Sequence, residues 1–301
     1  MTLLDIQRLF DTDDKCRAAL TKLRWPNGVE CPQCHGTRIT WIKANKQFDC
    51  AECEYHFSVM ARTIFNDSHL PLTTWFTAVL LLVEARKGFS ANQMKRTIGV
   101  SYKTAWYLCH RIRRAMKQAE LPMLDGTVEM DETYVGGVKR GLGQKAAKEA
   151  KEVVIGIRQR GGALRFFHAE DAKTGTLAKY IRENISADVD VIVTDELHGY
   201  KKAVGSHRHE TVNHSAKEYV RFGTDIHTNT VESSFSLLKR GIMGTWHKIS
   251  AKHLQAYLDE MTFRFDRRKR SDLFVDTLRH MVTADPMTFE NLTADKDAEP
   301  F

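Results

Sequence analysis

Two Cys-x-x-Cys pairs constrain this chain more than any other feature. Cys31-Pro-Gln-Cys34 and Cys50-Ala-Glu-Cys53 are separated by fifteen residues, inside the spacing range of tetrahedral zinc sites. Each pair makes a tight knuckle that turns two thiolates toward one point, and two knuckles supply the four soft ligands of a closed site. The residues between them, Arg38-Ile-Thr-Trp-Ile and Gln47-Phe-Asp, read as short strands joining the knuckles. With Cys31, Cys34, Cys50 and Cys53 all spent on one Zn²⁺, no position is left open for chemistry, so the metal is expected to be structural. Cys16 and Cys109 stand alone and read as buried small apolar residues.

Charge is unevenly distributed. The chain of 301 residues carries a formal +7. Residues 71–120 hold nine Lys/Arg against Glu84 and Glu120, so this stretch alone accounts for an excess equal to the whole. Such concentration is the footprint of an element that meets a polyanion. The N-terminus mixes acids with apolar residues and does not read as a secretory signal. The longest apolar run, Ala78–Val83, is far short of the ~20 residues a membrane span needs. A cytoplasmic, nucleoid-associated protein without a membrane partner is expected.

The basic stretch has an internal pattern. Leu72–Glu84 is strongly apolar and reads as a buried helix. Ser90 caps a short helix, Gly99 marks a turn, and Ser101 caps a second helix with apolar residues at Ala105, Leu108, Ile112 and Met116. This is a helix-turn-helix pattern, whose second helix points its N-terminal residues at base edges in the major groove. Ser101, Tyr102, Lys103 and Thr104 take that place. Arg111, Arg113 and Arg114 follow and are expected to meet phosphates.

From Thr127 the pattern turns to strands. Thr127–Val135, Val153–Arg158 and Ala163–Ala169 read as three strands, Thr174–Asn184 as a helix, Val189–Thr194 as a strand running into Asp195, and Thr228–Lys239 as a helix. His253–Arg264 reads as an amphipathic helix. Val138–Glu152 reads as a basic excursion, and Val204–Phe222 as a connection without pattern. Three strands, helix, strand and helix suit an α/β domain of RNase H type with a mixed sheet. Asp131 lies within the first strand, Asp195 at the end of a later one, and Glu232 on the last of these helices. Intervals of 63 and 36 residues separate them. Three such carboxylates suit hard divalent ions, which in pairs activate the attacking oxygen and stabilise the leaving oxygen of a phosphodiester.

Met130-Asp-Glu-Thr-Tyr-Val-Gly-Gly, Thr194-Asp-Glu-Leu-His-Gly-Tyr and His227-Thr-Asn-Thr-Val-Glu-Ser-Ser-Phe-Ser-Leu-Leu-Lys-Arg-Gly together resemble bacterial insertion-sequence transposases of the DDE type, in the subgroup with an N-terminal zinc ribbon. The resemblance spans roughly residues 10–270. It implies an RNase H-like fold with Asp131, Asp195 and Glu232 holding Mg²⁺ (or Mn²⁺), and with Lys239 and Arg240 contacting DNA phosphate beside them. Asn229 precedes Glu232 by three positions on the same helix face and is the alternative third ligand, since some relatives carry Asn; Glu232 is the better ligand for a hard ion. The activity implied is binding of terminal inverted repeats, metal-dependent cleavage and strand transfer. A DNA nuclease without strand transfer, or a DNA-binding protein without chemistry, is the alternative. Double-stranded DNA, as element ends and target, is the expected partner, and a homo-oligomer is expected in the synaptic complex. The domains read as 1–65 (N-terminal helix and zinc ribbon), 66–122 (helix-turn-helix), 123–270 (catalytic) and 271–301 (C-terminal helix and flexible acidic tail).

Overall fold

Polar side chains at helix starts decide where the first segments fold. Thr2 and Asp5 close a capping box on α1 (Leu3–Leu9): Thr2 Oγ1 accepts the Asp5 N–H at 3.2 Å and Asp5 Oδ2 accepts the Thr2 N–H at 2.9 Å. Thr12 caps α2 (Asp13–Arg24) in the same way. Then β1 (Ile39–Ile42), β2 (Gln47–Cys50) and β3 (His56–Phe57) form an antiparallel sheet in that order, with Phe48 opposite both Trp41 and Phe57. Helix α3 (Leu72–Glu84) buries Trp75, Phe76, Val79 and Leu82. Ser90 caps α4 (Ala91–Ile98), which stops at Gly99 in the left-handed region (φ 71°), a conformation that costs glycine little. Ser101 Oγ then accepts the Thr104 N–H at 3.1 Å and starts α5 (Tyr102–Met116). The two helices, the turn between them and their caps lie where the sequence places them.

The computed structural model describes residues 1–118, 120–136, 151–213, 220–221 and 223–294. The basic excursion read at Val138–Glu152, apart from Lys151 and Glu152, lies outside them. The chain divides into two compact units: residues up to Lys117 together with those from Arg268 onward, and Gln118–Arg267.

The second unit is built on β4 (Thr127–Val135), β5 (Glu152–Gln159) and β6 (Leu164–Ala169), an antiparallel meander. Helix α6 (Thr174–Asn184) leads to β7 (Val191–Asp195), which pairs parallel with β4. Helix α7 (His198–Ala203) and β8 (His209–Val212) follow, β8 parallel to β7. The sheet order is β6-β5-β4-β7-β8, mixed as expected. The connection read at Val204–Phe222 therefore needs correcting, because it contains an edge strand. Among the described residues β8 pairs with β7 alone, and of its residues only Val212 is fully buried, so it shows no apolar alternation to read.

Each face of the sheet has its own core. Val128, Met130, Ile155 and Ile157 pack with Leu177 and Ile181 of α6. On the other face Val154 and Phe166 pack with Val231, Phe235 and Leu258, which lie on α8 (Asn229–Gly241) and α9 (Ala251–Asp266). The even residues of β4 thus serve the first face, and the odd ones, Glu129 and Asp131 among them, serve the face covered by α8.

The last helices return to the first unit. On α10 (Leu273–Thr283), Phe274 lies 5.7 Å from the Phe76 ring of α3. Thr288 caps α11 (Phe289–Thr293), Leu292 is buried, and the Tyr107 hydroxyl donates to the Met287 carbonyl. The acidic tail read as flexible is thus folded as far as Ala294, because Phe289 and Leu292 give it apolar anchors; residues 295–301 lie outside the described ones. Among the described residues no helix is long and apolar enough to cross a membrane.

Candidate active site

The register of β4 with β7 pairs Glu129 with Val193, which brings Asp131 and Asp195 abreast two residues further on. Asp195 stands at the C-terminal end of its strand, where open α/β sheets present their ligand sites. Asp131, Asp195 and Glu132 each offer a carboxylate oxygen within 4.8 Å of the others. Local hydrogen bonds aim them: Asp131 Oδ1 accepts the Glu132 N–H at 2.8 Å, Asp195 Oδ1 accepts the Leu197 N–H at 3.0 Å, and the Tyr200 hydroxyl donates to Glu132 Oε2 at 3.2 Å. Strand alternation turns Glu132 away from Asp131, and only tertiary packing brings it to Tyr200 and into the cluster.

Glu232 comes from the helix that covers this face. It is half-buried, and its Oε1 accepts the Thr228 hydroxyl at 2.8 Å. It is not among the three carboxylates that meet within 4.8 Å, yet its charge reaches them. Burial pushes the Asp131 carboxyl up, and the negative charges of Glu132, Asp195 and Glu232 push it further, to about 8. Such crowding of like charge is what a bound cation relieves. The donors are all oxygens, which suits Mg²⁺ or Mn²⁺. Asn229, the alternative ligand, is exposed at the first position of α8; Lys239 and Arg240 are exposed in its last turn.

A second carboxylate on the same face of β4 ties this helix down. Glu129 is fully buried. Its Oε2 accepts the N–H groups of Thr230 and Val231 at 2.9 and 3.0 Å, and its Oε1 accepts Arg160 Nε at 2.7 Å. Arg160 also holds the Asp225 and His227 carbonyls, while Arg158 donates to the Thr230 carbonyl and to the Ser233 and Ser234 hydroxyls. Glu129 shares this strand face with Asp131, and its burial beneath α8 is a tertiary fact.

The four ribbon cysteines converge as expected. Cys31 and Cys53 Sγ lie 3.7 Å apart, and Cys34 and Cys50 Sγ 3.6 Å. A disulfide would need about 2.05 Å, whereas a zinc tetrahedron with bonds of about 2.3 Å has edges of about 3.8 Å. The residues present fit a structural zinc. Burial raises the Cys31 thiol, but the N–H groups of Cys34 and Gln33 outweigh it and bring it down to about 7, toward the thiolate a metal needs. Trp25, Phe48 and Phe57 pack edge-on beneath the knuckles. Cys16 and Cys109 are buried and unbridged, in line with their reading.

On α5 the expectations divide. Ser101, Tyr102, Lys103 and Arg114 are exposed and Thr104 half-buried. Arg111 and Arg113 are only 4% and 1% exposed, and as phosphate contacts they are corrected. The Arg111 guanidinium donates to the Asn66 carbonyl and stacks on Trp75 and Tyr107; Arg113 faces the Phe89 carbonyl at 3.5 Å. Long aliphatic stems let these cations serve the interior, which a count of basic residues does not register. Lys103 Nζ lies 4.3 Å above the Phe289 ring.

Comparison with known proteins agrees with this geometry. Residues 123–266 match the ISXO2-like transposase domain and residues 11–56 the transposase zinc-ribbon domain. The chain is also similar to an uncharacterized protein in transposable element ISH50 of Halobacterium salinarum, 29% identical over 276 residues that cover 85% of this chain and 92% of the relative.

Proposed function

Because the chain belongs to the insertion-sequence transposases that carry an ISXO2-like DDE domain behind a zinc ribbon, we propose that it binds the terminal inverted repeats of its element, cleaves the DNA at their ends and joins those ends to a target. The observation that carries this reading is the convergence of the Asp131, Glu132 and Asp195 carboxylates within 4.8 Å of one another, with the charge of Glu232 on α8 also felt at Asp131. Divalent ions held there would activate the attacking oxygen and stabilise the leaving one.

In the first step a water oxygen attacks phosphorus at the element end. The P–O3′ bond breaks, the water proton leaves to solvent, and a 3′-hydroxyl remains. In the second, that 3′-oxygen attacks a target phosphate, a new P–O3′ bond forms, and the target's own O3′ leaves as a hydroxyl. Lys239 and Arg240 hold the phosphate against the site, Asn229 being the second choice for the role of Glu232. Ser101, Tyr102, Lys103 and Thr104 read the repeat, and Arg114 holds its backbone. Two ends must be held together for joining, so the working form is a homo-oligomer acting on nucleoid DNA in the cytoplasm. The domain divisions expected at 65, 122 and 270 are proposed alongside this assignment.

The test is a Mg²⁺-dependent cleavage and joining assay on DNA bearing the element's own ends, with Asp195→Ala as control. End-specific nicking followed by joining, absent in the variant, is expected. Nicking without joining would make the protein a nuclease, and binding without nicking a DNA-binding protein.

A further inference from the structure

Glu129 lies two residues from Asp131 on the same face of β4, and the Val231 N–H that it accepts belongs to the residue next to Glu232. One carboxylate therefore links the strand that carries the first acid to the helix that carries the third. We propose that Glu129 is a positioning residue that sets the distance between the Asp131–Asp195 pair and Glu232. This rests on the carboxylate site assigned above.

Several observations favour this over a plain buried ion pair. A buried ion pair needs only one cation, and Arg160 Nε at 2.7 Å already supplies it. Glu129 spends its other oxygen on two backbone N–H groups in the first turn of α8, where a carboxylate also faces the positive end of the helix dipole. His227 Nδ1 lies 3.2 Å from the same oxygen as Arg160, so the loop entering α8 is gathered onto this one group. Arg158 grips the same turn from β5 through Thr230, Ser233 and Ser234. Glu232 Oε1 also accepts the Thr228 hydroxyl at 2.8 Å, within the start of its own helix. Outer groups that orient metal-binding carboxylates typically cost 10–100-fold in metal affinity or activity when removed.

The experiment uses the full chain and Mn²⁺ as probe. Mn²⁺ affinity is read by electron paramagnetic resonance without DNA, with Asp195→Ala as the reference lacking the site; cleavage kinetics are measured in parallel. Glu129→Gln is expected to weaken Mn²⁺ binding about tenfold and to lower kcat similarly, with KM for end DNA within about twofold, and excess Mn²⁺ restores part of the rate. Arg160→Gln, which leaves both N–H bonds to Glu129 in place, shifts both quantities in the same direction but less, and serves if Glu129→Gln does not fold. Asp266→Asn, which loosens the same unit at Leu164 and Arg165, lowers Tm without moving Mn²⁺ affinity. Unchanged affinity in Glu129→Gln overturns the proposal, as does an equal loss in Asp266→Asn. A parent that binds Mn²⁺ through Asp195 but cuts no DNA sinks the transposition reading and leaves the positioning one standing.

Discussion

Gly156 stands opposite Asp131 in the β4–β5 ladder, and a Cβ there would lie 2.6 Å from Phe235 Cζ of α8 and 3.1 Å from the Phe166 ring. The bare backbone at this one residue lets the helix with Glu232 lie close to the sheet. Gly156→Ala should destabilise the unit by about 1–3 kcal/mol through overpacking. Adding Phe235→Leu should recover part of that loss, which a denaturant-unfolding double-mutant cycle would read; full additivity would disprove the contact. The acids themselves give a second prediction at this scale. Asp131→Asn, Asp195→Asn and Glu232→Gln should each lower cleavage by more than about 10²-fold while binding to element ends persists in a gel-shift assay. Should Glu232→Gln cut normally and Asn229→Ala fail to, the third role passes to Asn229.

At the level of elements, α5 shows how one helix divides its cations between interior and surface. Arg114→Ala should reduce the salt dependence of DNA binding by about one unit of slope, since each phosphate contact releases counterions. Arg113 is buried, so Arg113→Ala should instead lower Tm and leave the slope unchanged in the fraction that folds. A matched fall in slope for both variants would restore Arg113 as a phosphate contact. Helix α11 bears on the same element, because Phe289 packs against Trp106 and Tyr107 and sits under Lys103. Phe289→Ala should cost about 1 kcal/mol, read from the thermal midpoint of the variant.

For the molecule as a whole, the metal sites call for different tests. A small three-stranded sheet with a core of a few aromatic rings cannot bury enough apolar surface to fold alone, and a structural zinc supplies the missing free energy. Cys50→Ser, or prolonged exposure to a chelator, should raise hydrogen exchange across residues 29–57 while β4 and β5 keep their protection. Mass spectrometry after proteolysis measures both regions at once; unchanged exchange in the ribbon would show that the cysteines need no metal. Weak chelation that strips only the carboxylate site should stop cleavage without any change in exchange at the ribbon.

Much of this was legible in the residues. Cys31, Cys34, Cys50 and Cys53 declare their site because ligand spacing is a local property of knuckles. The caps at Ser90 and Ser101, the left-handed stop at Gly99 and the periodic apolar positions of α3, α5, α6 and α8 depend on neighbours within a few residues, and the structure places them as read. That Asp131 and Asp195 come together was legible only through their joint motif, since nothing in periodicity makes distant acids meet; Glu232 stands outside their 4.8 Å group. Tertiary structure alone decided that β8 closes the sheet edge, that Arg111 and Arg113 turn inward, that α10 and α11 rejoin the first unit, and that Glu129 and Glu132 stand with the acids. Each of these turns on which surfaces are desolvated when distant segments pack. Sequence spacing records what a residue's neighbours in the chain require of it, and the packing of distant segments records the rest.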